Sequence, residues 1–93
     1  MAIQSFKCRS TEDLHGGTGC GPFPQVATVA MRKLAMLHAA ASLNDLRVPP
    51  NNRLKALDRD RAGQHSIRIN DQFRVCFVWT DAGPSDVEIV DYH

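Results

Sequence analysis

The chain has 93 residues, of which 43% are hydrophobic and 23% charged. That size fits a single domain spanning residues 1–93, and that balance excludes a disordered tail, a collagen-like repeat and a disulfide miniprotein. The formal net charge is only +1, yet residues 47–74 carry seven Lys or Arg against three acids, and residues 75–93 carry four acids and no Lys or Arg. A basic segment of this kind either seats a phosphate backbone or serves as a solvated face. No apolar run approaches the ~18 residues of a membrane span. The N-terminus has charges at Lys7 and Arg9 and no apolar core, so no signal peptide is expected and the expected compartment is the cytoplasm. Cys8, Cys20 and Cys76 are an odd set with no close pair, which argues against a disulfide framework and a zinc site.

Residues 2–8 alternate weakly around Ile3 and Phe6, which predicts a strand. Ser10 to Asp13 has the spacing of a shortened capping box, which predicts a brief helical turn. His15-Gly-Gly-Thr-Gly-Cys-Gly-Pro-Phe-Pro24 reads as a flexible connector. Its glycines fit neither the P-loop nor the dinucleotide fingerprint, since no Lys-Ser/Thr follows and no strong strand precedes. Pro24 suits a first helical turn, and Val26, Ala30, Leu34, Leu37 and Ala41 then form the stripe of an amphipathic helix. Thr28, Arg32 and Lys33 lie off that stripe, while Met31 and Met36 widen it. Residues 42–46 read as a further turn capped by Ser42, ended by Val48-Pro49-Pro50-Asn51-Asn52.

The remainder reads as strands. Arg53 to Leu57 is a short one. Over Gln64 to Asn70, His65, Ile67 and Ile69 share one face and Ser66 and Arg68 the other. Phe73, Val75, Phe77 and Trp79 line an aromatic face that must be buried, with Arg74, Cys76 and Val78 opposite. A last strand carries Val87, Ile89 and Val90 into Asp91-Tyr92-His93. The linkers make hairpins near-obligatory, so the fold class is α+β: an antiparallel meander packed on one face by helices.

Several residues are candidates for chemistry. Arg68 and Arg74 sit on strands joined by a tight turn, opposite the aromatic core. Two guanidinium groups side by side repel unless an anion lies between them, so they form either a phosphate clamp or two arginines paired with surface carboxylates. Asp91, Tyr92 and His93 group an acid, a phenol and an imidazole, which suits proton transfer near neutral pH. Alternation puts Asp91 and His93 on one side and Tyr92 on the other. His15, His38 and His65 match no metal-ligand spacing. His65 reads as a semi-core histidine and Cys76 as a small buried hydrophobe.

The stretches 43–57, 60–77 and 86–93 together resemble the HigB toxins of the RelE/ParE superfamily. The resemblance rests on Gly63-x-x-Ser66-Ile67-Arg68-x-Asn70-x-x-Phe73-Arg74, on the terminal Asp91-Tyr92-His93 and on Ile3-x-Ser5-Phe6. It implies the RelE-like β-α-α-β-β-β fold. It also implies a ribosome-dependent endoribonuclease that cuts mRNA without metal or cofactor, and a HigA-type helix-turn-helix antitoxin that alone links it to operator DNA. By the same resemblance Asp91, Tyr92, His93 and Arg74 are the catalytic set. Lys55, Arg59, Arg61 and Arg68 are expected to supply cations for the RNA. The sequence departs from the family at Asp58-Arg59, where Lys-Gly is common, and Phe73 stands in place of a tryptophan. Two other readings stay open: a ParE-like gyrase inhibitor without chemistry, and a catalytically weakened toxin acting mainly through its antitoxin and autoregulation.

Overall fold

The computed structural model describes residues 2–19, 21 and 23–91. Two helices, α1 (Arg9–Gly16) and α2 (Ala27–Ala39), precede four strands: β1 (Lys55–Ala56), β2 (His65–Arg68), β3 (Phe73–Thr80) and β4 (Gly83–Asp91). The strands form one sheet in the order β1-β2-β3-β4, and every neighbour is antiparallel. Short linkers dictate that order, because an antiparallel pair needs only a tight turn. In the β2–β3 turn, Asn70 Oδ1 accepts the N–H groups of Gln72 and Phe73 at 2.9 and 2.7 Å. In the β3–β4 turn, Thr80 Oγ1 accepts those of Ala82 and Gly83, both at 3.2 Å. These are the side-chain-to-backbone bonds that let Asn and Thr hold a chain reversal.

The expected N-terminal strand is reduced to one parallel bridge, Phe6 to Val87. The segment does run along the outer edge of β4. Gln4 N–H donates to the Pro84 carbonyl at 2.7 Å and Lys7 N–H to that of Val87 at 3.0 Å, while Val87 N–H donates to the Ser5 carbonyl at 3.1 Å. Regular pairing stops because Asp86 takes a left-handed φ of 51° and the β3–β4 register shifts between Cys76 and Val78. Such an irregularity bends the strand and interrupts its ladder.

Helix α1 is longer than the single turn expected, and its cap is Cys8 rather than Ser10. It buries Thr11 and Leu14, three residues apart on one face. Gly17 closes it with φ 78°, the left-handed conformation in which glycine costs least. The glycine-rich stretch is therefore not all connector. His15 and Gly16 are helical, and Phe23 is a buried core residue set edge-on to Phe73 at 5.7 Å. Cys20 lies outside the described residues.

Helix α2 starts at Ala27, after a turn over Pro24–Val26, and its stripe Ala30, Leu34 and Leu37 is buried. Two details differ from the sequence reading. Ala40 is buried in place of Ala41, because the chain turns extended at Ala40 and helical spacing no longer applies. Lys33 is buried as well. It sits three residues past Ala30 and four before Leu37, so helical geometry places its stem among the apolar residues.

Beyond α2, a 3₁₀ turn spans Leu43–Arg47. Asp45 Oδ2 accepts the N–H groups of Ala41 at 2.9 Å and Ser42 at 3.1 Å, which holds its carboxyl below the usual range. The proline-rich stretch does not simply end the helix; it adds a second 3₁₀ turn, Pro50–Asn52. The core lies between the helices and one sheet face, where Leu14, Leu34, Leu37 and Leu46 meet Ile67, Val75, Phe77 and Val87. The architecture is thus the expected α+β sheet packed on one face by helices. No described helix is long and apolar enough to cross a membrane.

Candidate RNA-binding and catalytic face

Cross-strand partners share a sheet face. Lys55 pairs with Ser66, Ser66 with Cys76, and Cys76 with Glu88, so one row of side chains crosses the whole sheet opposite the helical core. The next row pairs Arg68 with Arg74 and Arg74 with Val90. The two arginines that the sequence brings close are therefore direct cross-strand neighbours.

Each arginine is held by acceptors. Arg68 pairs with the Asp71 carboxylate in the turn. Arg74 Nε donates to Ser66 Oγ at 2.9 Å, and its Nη2 donates to the Arg53 carbonyl at 2.9 Å. The sequence alternative of two arginines on surface carboxylates thus describes Arg68 but not these two bonds of Arg74. Both of these acceptors are neutral, and each N–H bond fixes the direction of the guanidinium.

Lys55 also lines a cleft of about 260 Å³ with Leu57, Asp58, Arg59, Asp60 and Arg61. Because Lys55 belongs to both, the cleft and the arginine face are continuous across β1 and β2. Arg59 projects from a left-handed backbone at φ 56° and is exposed. Arg61 is half-buried and braced: its guanidinium donates to Gln64 Oε1 and Glu88 Oε1, both at 3.1 Å. Lys7 approaches the other Glu88 oxygen at 4.0 Å. Cys76 is buried beneath these charges, and burial pushes its thiol pKa up.

Asp91 ends β4 in register with Phe73, one residue from the Arg74–Val90 pair, and Gln72 Nε2 donates to its Oδ2 at 3.1 Å. Strand β4 thus brings the start of the terminal motif level with the Arg74 end of the sheet but on its other side: Asp91 shares a face with Phe73, and Val90 shares one with Arg74. Tyr92 and His93 lie outside the described residues.

Sequence reasoning missed several supports of this face. Lys33 Nζ donates to Asn52 Oδ1 at 2.6 Å, and both side chains are buried. Burial, then the nearby charges of Arg32 and Arg68, push the Lys33 pKa down. Its spacing on the α2 stripe was the one available signal. Ser66 and Glu88 carried no local signal, because their partners lie on other elements.

His15, His38 and His65 stand apart from this face. His65 stacks on Phe77, with ring centroids 6.3 Å apart, and its buried Nδ1 has no hydrogen-bond partner among the described residues. His15 and His38 lie 5.2 Å apart between the helix ends, and His38 Nδ1 accepts the Ile3 N–H at 3.2 Å. Among the described residues no three His, Cys, Asp or Glu side chains are grouped to hold a metal ion.

Two helices packed on a four-stranded antiparallel sheet fit the RelE-like class of small toxins. The match is more particular than that. A family described as the RelE-like toxin of type II toxin–antitoxin system HigB matches residues 15–93, and the chain belongs to this HigB-like toxin family. It is 43% identical over 56 residues to Toxin HigB-1 of Vibrio cholerae, a span covering 60% of this chain and 59% of that protein. It is also 43% identical over 49 residues to an uncharacterized protein of Haemophilus influenzae, covering 53% of this chain and 48% of that protein. The aligned spans are therefore half to three-fifths of these relatives.

Proposed function

We propose that the protein is a ribosome-dependent endoribonuclease that cuts mRNA during translation and is neutralised by a HigA-type helix-turn-helix antitoxin. The observation that carries this reading is the Arg68–Arg74 pair, with the end of β4 beside it. In the reaction, a ribose 2′-oxygen attacks the adjacent phosphorus and the 5′-oxygen leaves. The products are a 2′,3′-cyclic phosphate and a 5′-hydroxyl. One base takes the 2′ proton, one acid returns a proton to the 5′-oxygen, and no metal is needed. His93 transfers a proton, Asp91 acts as base or orienter, and Tyr92 stacks on or orients the nucleotide. Arg74 stabilises the charge that develops on the phosphorane. Lys55, Arg59, Arg61 and Arg68 hold the backbone, with Arg61 braced by Glu88 and Gln64 and Arg68 by Asp71.

Asp58 and Asp60 in the same cleft favour the weakened-toxin reading as the alternative, since a carboxylate repels a phosphate there. Primer extension on mRNA from a cell-free translation reaction tests both. Wild type is expected to cut at codon-spaced positions, only with ribosomes present, and His93→Ala is expected to cut none. Intact mRNA with wild type, restored to cutting by Asp58→Lys, would establish the weakened toxin. Intact mRNA with both would refute the nuclease reading.

A further inference from the structure

We infer that the buried Lys33–Asn52 pair is a positioning device for Arg74, acting through the turn that ends at Arg53. The inference rests on the reading of Arg74 as the group that stabilises the reacting phosphate. Two acceptors that direct Arg74 are Ser66 Oγ and the Arg53 carbonyl. Ser66 is fixed in the middle of the sheet. The Arg53 carbonyl lies between the turn before it and the start of β1 at Lys55, and Arg53 adopts a left-handed φ of 46° that an L side chain rarely takes. Such a conformation persists only where its surroundings impose it.

Asn52 imposes it. Its side chain is fully buried, and Nδ2 donates to the Leu46 carbonyl at 3.0 Å, tying the second 3₁₀ turn to the first. Its Oδ1 is taken by Lys33 Nζ from α2. Lys33 occupies a stripe position where an apolar residue would serve stability better. A buried ammonium loses hydration, and this one sits near Arg32 and Arg68 without an ion pair among the described residues. Its one recorded bond goes to Asn52. The return for burying it is a turn locked to α2, and so a carbonyl locked against Arg74.

The test compares Lys33→Met, which removes the donor, with Lys33→Gln, which keeps an N–H donor without the charge; Ser66→Ala removes an Arg74 acceptor directly. Two readouts are used. The first is mRNA cleavage on programmed ribosomes, separated into kcat and KM. The second is the Arg74 Nε–H resonance and its exchange rate in the purified protein, which does not depend on activity. Lys33→Met is expected to lower kcat about tenfold or more with KM held, in line with the cost of a small misplacement. It is also expected to move the Arg74 signal toward its Ser66→Ala position. Lys33→Gln is expected to recover both. A folded Lys33→Met protein with a wild-type Arg74 signal would overturn the inference, as would a moved signal that Lys33→Gln does not restore. If wild type cuts no mRNA, the proposed function fails, and the resonance still decides whether Lys33 positions Arg74.

Discussion

Replacing Thr11 with valine tests the docking of α1 onto β4, the strand that carries the terminal motif. Thr11 is fully buried, and its Oγ1 accepts the Ile89 N–H at 3.0 Å. Valine keeps the branch and volume but offers no acceptor, so the amide is left buried and unpaired. That costs ~1–3 kcal/mol, and a methyl in place of the hydroxyl returns no more than ~0.8 kcal/mol. The net loss is then between ~0.2 and ~3 kcal/mol, and for a domain of this size each ~1 kcal/mol of it lowers Tm by ~4–8 °C. Thr11→Ser also loses stability, through a missing methyl, but it keeps the acceptor. Amide hydrogen exchange separates the two: Ile89 loses protection in Thr11→Val beyond the global change and keeps it in Thr11→Ser. An unchanged Tm together with retained Ile89 protection in Thr11→Val would refute the reasoning.

Two further outcomes are expected. Burial and the neighbouring His38 hold the His15 pKa below its usual 6.5, so around and below that value the unfolded chain binds more protons than the folded one. Stability is therefore complete above pH 6.5 and falls as acid drives the pH down toward the folded pKa. Thermal melts of wild type and His15→Phe across this range should differ in slope, with the wild type the steeper. At Arg59, the left-handed backbone costs ~1–2 kcal/mol for any L side chain, against ~0.5–1 kcal/mol of extra entropy for glycine. Arg59→Gly should therefore melt higher than Arg59→Ala, while both lose the cation and cleave mRNA more slowly. Equal melting temperatures would remove strain as the explanation of that φ.

Much of this fold is legible in local pattern. The α2 stripe, the turn at Asn70 and the aromatic alternation of β3 depend on residues a few positions apart, and helical or strand spacing alone reads them. The Arg68–Arg74 pairing is legible for the same reason, since a turn of four residues, 69–72, leaves little freedom of register. Other features depended on partners far along the chain. Thr11 meets Ile89 across 78 residues, Arg61 meets Glu88 across 27, and Arg74 meets the Arg53 carbonyl across 21.

Helix α2, the two hairpins of β2 to β4, the buried face of the sheet and the family likeness were thus readable in the sequence alone. Each follows from the period of local structure or from a contiguous motif. The tertiary structure decided that α1 docks on β4 through a hydroxyl and that the N-terminal segment makes one bridge rather than a strand. It also decided that Lys33 is buried and that Arg74 takes its direction from Ser66 and Arg53. Local period states which face a residue occupies but not what covers that face. The acceptor for a buried donor is chosen only when distant segments pack together and every buried polar group must find a partner.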